Sequence, residues 1–320
     1  MAVPIYNLQS ALCNLMSLIE CVPNVSEGRR APIIEAMAEA IRGVSGARVL
    51  DVSSDPSHHR SVFTLAGDAA ALERATLALF ERAVADIDLQ HHHGEHPRVG
   101  AVDVVPFIPL QEATMSGCVA LARSVGRAVA ARFGIPVYLY GEAAREPARH
   151  RLELIRKGGL ERLAERMACP EWAPDFGPSR PHPTAGVSVV GARGLLVAYN
   201  VNLATNQLAV AKRIASLVRE RDGGLPGVKA LGLTLHERGI VQVSMNVTDY
   251  ERTSLLRVFE AVQAAAAQLG VSVLESEIVG LVPEAALAGI DPADLRLPNF
   301  SSGQILEHRL AATANRTSSF

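Results

Sequence analysis

Apolar positions along this chain alternate with polar ones or recur every three to four residues, in short blocks from end to end. Residues 18–23 (LIECVP) predict a strand, and Ile33, Ile34, Met37 and Ile41 share one face of a helix over 29–42. Strands at 48–53 (RVLDVS) and 60–66 (RSVFTLA) flank a turn made of Ser54, Asp55, Pro56 and Ser57. A helix over 69–86, a strand over 102–108 (VDVVPFI), an alanine-rich helix over 114–133 and a strand over 137–140 (VYLY) follow.

The second half repeats this order. A strand at 195–201 leads to a helix over 204–221, then to strands at 228–235 and 240–247 around a turn at 237–239. A helix over 251–269 and a strand over 271–276 complete it. The run βαββαβ thus occurs twice. The junctions Asn24-Val25-Ser26 and Asn200-Val201-Asn202 stand 176 residues apart, and Val62 and Val241 of the central strands stand 179 apart. This predicts an α+β protein of two similar ferredoxin-like (βαββαβ) subdomains with a ligand cleft at their junction. The expected boundaries are an extension at 1–16, subdomains at 17–193 and 194–304, and a flexible tail at 305–320. The Pro/Gly-rich seam at 170–194 is expected to hold neither regular helix nor a central strand.

Composition narrows the class. Lys+Arg minus Asp+Glu is 31 − 33 = −2, so nothing points to an overall basic nucleic-acid binder. No run approaches the roughly 20 apolar residues of a membrane span. Cys13, Cys21, Cys118 and Cys169 are scattered without C-x-x-C spacing, as in a reduced, cytoplasmic protein. The first fifteen residues carry no charge, and polar residues interrupt their apolar pattern; a secretory signal requires a basic start and an unbroken apolar stretch. The strand pattern begins only after Met16, which fits a translation start there.

The chemistry concentrates at 91–98, HHHGEHPR. His92 through His96 satisfies H-x-x-E-H, a zinc pattern that requires the two histidines on one helical face. Pro97 pushes His96 out of helical geometry, so no metal site is expected. In extended backbone His91, His92 and His93 point alternately and cannot all line one site; singly they read as structural. Imidazole titrates nearest neutrality and can take and return a proton in one cycle, which makes acid–base catalysis the competing reading. In the seam, GPSRPHPTAG (177–186) offers glycines where backbone amides could approach a planar ligand.

The segments ECVPNVSEG (20–28), DPSHHRSVFT (55–64), HHGEHPRVGAVDVVPFIPL (92–110), VYLYGEAA (137–144) and EWAPDFGPS (171–179) resemble the glutamate formimidoyltransferase (formiminotransferase) family, and KALGLTL and QVSMNVTDY extend the likeness into the second half. The resemblance implies transfer of a formimidoyl group from N-formimidoyl-L-glutamate to N5 of tetrahydrofolate, in histidine breakdown. It implies a monofunctional enzyme without the cyclodeaminase domain, tetrahydrofolate as co-substrate, no bound cofactor or metal, and a homodimer. It places the catalytic histidine at His96 and folate binding on Gly177, Pro178, Ser179, Arg180, Pro181, His182, Pro183, Thr184, Ala185 and Gly186. The substrate's carboxylates call for arginines, with Arg98 and Arg60 as candidates. The cationic amidine calls for a carboxylate, with Asp51 and Asp103 as candidates. Family members often carry a D-x-D arrangement at the strand of Asp51, where this chain has Ser53 and then Asp55. Formyl transfer on the same scaffold and a non-catalytic folate-binding module are the competing readings.

Two outcomes are expected. A chain starting at Met16 should remain soluble and turn over at the full-length rate, since the pattern begins only there. Exhaustive chelation should leave the rate unchanged; loss of activity on chelation, restored by zinc, would revive the H-x-x-E-H reading.

Overall fold

The computed structural model describes residues 17–94 and 97–317. The expected extension at 1–16, and Glu95 and His96, lie outside the described residues.

The first sheet is built around an interrupted strand. Ile19–Cys21 (β1) and Asn24–Val25 (β2) are separated at Pro23 and share the same two neighbours. Those neighbours are Arg60–Gly67 (β4) and Val102–Pro109 (β5), both antiparallel. The expected strand at 18–23 therefore breaks where proline cannot donate to the ladder. Arg48–Asp55 (β3) pairs with β4 on its outer side. Ala31–Arg42 (α1), Ala69–Asp86 (α2) and Met115–Phe133 (α3) bury Met37, Ile41, Leu72, Leu79, Phe80 and Val125 against Cys21, Phe63, Leu65, Val105 and Phe107 of one sheet face. Asp68 and Thr114 cap α2 and α3 with side-chain oxygens that accept from Ala71 N and Gly117 N.

Val137–Gly141 (β6) and Ser188–Ala192 (β7) extend this sheet, with β7 inserted between β5 and β6 and parallel to both. This corrects the reading of the seam. Proline and glycine keep 173–187 irregular, but SVVGA is a fully buried strand of the parallel kind, apolar on both faces. Leu152–Ile155 (α4) and Gly159–Arg166 (α5), which the apolar pattern did not predict, pack Ile155 and Leu163 on its far face with Tyr138, Val187 and Val189.

The second sheet orders Val273–Val279 (β11), Val197–Leu203 (β8), Ile240–Val247 (β10) and Val228–Leu235 (β9), all antiparallel. Leu208–Val218 (α6) and Leu255–Gln268 (α7) cover one face, burying Ile214, Val258 and Val262 against Tyr199, Val201, Val241 and Val243. In both sheets the second strand of the βαββαβ run pairs with the third, the third with the first, and the first with the fourth. The protein is a mixed α and β structure of two sheets and, among the described residues, eight α-helices.

The halves meet at Leu50 and Ala66 of the first sheet, packed with Leu195, Leu281, Leu306 and Leu310. Leu306–Thr317 (α8) supplies two of these residues, so most of the expected flexible tail is helix, anchored by buried Leu306. Among the described residues no helix is long and apolar enough to cross a membrane.

Gly191 is the fourth of the five residues of β7, and an added Cβ there would come within 2.3 Å of the Tyr140 carbonyl oxygen. Gly191→Ala should lower the unfolding free energy by about 1–3 kcal/mol. The check is a lower urea midpoint with an unchanged m-value.

Candidate active site

Three segments far apart in sequence converge beside β2: the N-V-S-E-G turn, the β3–β4 turn and the histidine segment. Gly28 permits the first contact, because a Cβ there would come within 2.4 Å of both Arg60 N and Asp55 O. Gly94 permits the second, since its Cβ would meet His58 O at 2.4 Å. Ser26 Oγ donates to Gly100 O at 2.7 Å and ties the first segment to the third.

Glu27 lies at the centre of this convergence and is fully buried. Its carboxylate accepts from Arg29 N and Arg30 N, both at 2.9 Å, and from the Arg30 guanidinium at 2.5 Å. Burial alone would raise its pKa; the hydrogen bonds outweigh it and carry it down to about 2. His59 Nε2 stands 3.4 Å from the same carboxylate.

Of the three adjacent histidines, His92 is buried while His91 and His93 are exposed, the alternation expected of them. The ring of His92 stacks on that of His59, with centroids 4.1 Å apart and planes 6° from parallel. Arg98 Nε donates to His92 Nδ1 at 2.6 Å. That leaves the ring hydrogen on Nε2, which donates to His59 O at 2.8 Å. Burial is the main cause that pulls the pKa of His92 down to about 4, with the charges of His59 and Arg98 adding to it. His92 is thus a neutral, structural histidine.

Arg98, expected to hold a substrate carboxylate, is engaged with His92, whose carbonyl its Nη2 also reaches at 2.8 Å. Arg60 donates to Asn24 Oδ1. Burial, then the positive charge of Arg156, lower its pKa to about 9, and Asp103 opposes them. Asp103 accepts from Val99 N at 2.8 Å and from the Arg156 guanidinium. Arg60 and Asp103 are therefore brought together, and Arg156 joins them. Asp51 is not part of this group. It faces Thr64 across β3 and β4, accepts from Ser53 Oγ at 3.1 Å, and lies 3.9 Å from Arg309 of α8.

The segment 177–186 divides in two. His182 and Gly186 exchange backbone hydrogen bonds, and Thr184 O and Ala185 O accept from Leu89 N and Ala101 N. His182 Nδ1 accepts from Ala185 N at 3.0 Å, and burial lowers its pKa. This end is laced to the histidine segment. Pro178, Ser179 and Arg180 are exposed, and Gly177 takes φ of 89° against Ile135. Arg29, Ser57, His93, Arg98, Gly159 and Glu161 are among the residues that line an open pocket of about 430 Å³ beside the histidine segment, within the roughly 300–1,000 Å³ of small-molecule sites. Among the described residues no group of three or more His, Cys, Asp or Glu is arranged to hold a metal ion.

Glu27, His59 and Arg156 were not singled out from the sequence. His58-His59-Arg60 repeats the His-Arg clustering of the 91–98 segment and could have drawn attention to His59. Arg156 carries no local signal at all.

Comparison with known proteins gives the same assignment over both halves. Residues 18–193 match the N-terminal subdomain of the formiminotransferase domain, and residues 198–296 match the formiminotransferase domain. A protein named glutamate formimidoyltransferase from Thermoplasma acidophilum is 47% identical over 94% of this chain and 99% of its own length. Another of that name, from Streptococcus pyogenes serotype M1, is 42% identical over 92% of this chain and 99% of its own. The formimidoyltransferase-cyclodeaminase of Sus scrofa is also 42% identical, but the match spans only 57% of that protein. This chain belongs to the formiminotransferase-domain family.

Proposed function

We propose that this protein transfers the formimidoyl group of N-formimidoyl-L-glutamate to N5 of tetrahydrofolate, giving 5-formimidoyltetrahydrofolate and L-glutamate. The match to two relatives named glutamate formimidoyltransferase, over 99% of the length of each, carries this reading. Both subdomains are read as ferredoxin-like repeats, a reading supported by their common strand-pairing order. Tetrahydrofolate is the co-substrate, with no bound cofactor, and the enzyme acts in the cytoplasm as a homodimer.

The formimidoyl carbon is an amidine carbon. Attack by N5 forms the new C–N bond and a tetrahedral centre; collapse breaks the bond to the glutamate nitrogen. N5 must lose a proton and the leaving nitrogen must gain one. His96, as a single imidazole, takes the first proton and returns it in the second step. His92 is unsuited to this role because both its ring nitrogens are engaged and its pKa is held near 4.

Among the described residues the guanidiniums of Arg60 and Arg156 share the field of the Asp103 carboxylate, a setting suited to a carboxylate of the glutamate donor. Arg60 remains protonated at neutral pH, since its pKa falls only to about 9. Arg98 is read as a support for His92. The folate is assigned to 177–186, whose 182–186 loop adjoins the histidine segment.

His96→Ala should lower kcat by about 10²–10⁴-fold while tetrahydrofolate still binds, because a proton-transfer group acts mainly in the transition state. His91→Ala and His93→Ala should cost far less. The pH profile of kcat/KM should show an ionisation near neutrality that the His96 variant lacks. Steady-state kinetics with formimidoylglutamate and with formylglutamate, alongside fluorescence titration of the folate, checks all three points. Wild-type turnover by His96→Ala, or loss of folate binding as its sole defect, would overturn the assignment. Preference for formylglutamate would overturn the choice of donor.

A further inference from the structure

We propose that Arg149 is a positioning residue for tetrahydrofolate binding: with Asp175 it clamps the chain that leads into the 177–186 loop and sets the direction in which that loop leaves the sheet. This rests on the reading of 177–186 as the folate segment.

Residues 170–176 (PEWAPDF) contain two prolines and, beyond one short helical turn at Pro170–Trp172, form no regular element. Such a segment has to satisfy its backbone groups by other means, and here side chains do so. Arg149 Nη2 donates to Glu171 O and to Ala173 O, both at 2.8 Å, and the Tyr138 hydroxyl donates to Trp172 O between them. Asp175 works in the opposite sense. Its carboxylate accepts from Leu139 N of β6 at 2.8 Å and from Arg149 Nη1 at 3.1 Å. Asp175 N and Phe176 N donate to Val137 O, and Val137 N donates to Phe176 O. The side chains of Arg149 and Asp175 are only 7% and 2% exposed, and such a pair is tolerated when further hydrogen bonds use its remaining donors and acceptors. That condition is met here through the two carbonyls and the Leu139 amide.

The clamp ends where the loop begins. Gly177 follows Phe176 directly and turns the chain at φ of 89°, where an added Cβ would come within 2.9 Å of Ile135 O. Pro178, Ser179 and Arg180 then stand exposed. From His182 the chain is held again, by its backbone bonds with Gly186 and by those from Leu89 N and Ala101 N to Thr184 O and Ala185 O. The exposed tip is thus a short span between two fixed ends. A ligand docking on it meets a surface already ordered, so the ordering cost that a loose loop adds to binding is absent. Releasing the clamp restores that cost to folate binding and leaves the proton transfers untouched.

The test uses Arg149→Lys, which keeps a cation beside Asp175 but lacks the planar fork that reaches all three oxygens. It should fold with an unchanged circular dichroism spectrum. Its Kd for tetrahydrofolate, read by calorimetry, should rise about ten-fold or more. Its kcat at saturating folate and its KM for formimidoylglutamate should stay within about two-fold of wild type. Trp172, the chain's single tryptophan, lies in the clamped segment with the Arg166 guanidinium 4.0 Å from its ring centroid, and its fluorescence emission should shift. A lowered unfolding midpoint with unchanged Kd would make Arg149 merely structural and overturn the proposal, as would a loss confined to kcat. A raised Kd with unmoved emission would overturn it too, because the effect would not pass through this segment. If Arg149→Lys does not fold, Tyr138→Phe decides the point, since it frees Trp172 O alone at nearly constant volume. Its Kd should rise at least about two-fold, and an unchanged value would overturn the clamp. The folate reading is tested apart from the clamp by substituting Ser179→Ala and Arg180→Ala together at the tip. Unchanged Kd in that variant would remove the folate reading, and this proposal with it. A raised Kd there, without one in Arg149→Lys, would overturn the clamp alone.

Discussion

The buried carboxylate of Glu27 is the constraint on which the site depends. A charge removed from water is tolerable only if hydrogen-bond donors surround it, and here they come from Arg29 and Arg30, with the His59 ring 3.4 Å away. Meeting that demand brings the turn after β2 and the β3–β4 turn together, with Gly28 making room for both backbones. The histidine segment then closes over them through the His59–His92 stack. Two further contacts join the turns: Arg29 Nε donates to Pro56 O, and Ser61 Oγ donates to Glu27 O.

The surroundings of this hub assign different tasks to chemically similar residues. His92 is kept neutral by burial and by an arginine on Nδ1, so it serves as a rigid spacer. Arg98 is committed to that histidine, whereas Arg60 and Arg156 share the field of Asp103. Two arginines near the histidine segment are thus grouped around one carboxylate, and the third holds a histidine in place. Residue type did not distinguish these tasks; hydrogen-bond partners did.

Much of the fold was legible in the chain because period follows from geometry. The alternation at 60–66 and 240–247 and the 3.6-residue spacing at Ile34, Met37 and Ile41 each report one buried face. The misreadings share a cause. SVVGA is apolar on both faces and so carries no alternation, and it lies directly after a run of prolines and glycines. The helix over 306–317 is stabilised by a leucine contact with the other half, which no local window contains. The strand at 18–23 breaks at Pro23 because the sheet uses both of its edges.

The sequence by itself determined the element order, its repetition across the two halves, the density of histidines at 91–96 and the family likeness, because all of these depend on neighbours within a few residues. Tertiary structure alone decided that Glu27 would be the hub, that Arg156 would join Arg60, that Asp51 would stand with α8 and that Arg98 would face inward. Each of these is a contact between residues tens to hundreds of positions apart. Such contacts are selected by burial and by the requirement that every buried charge find a partner, conditions that exist only once the sheets have formed.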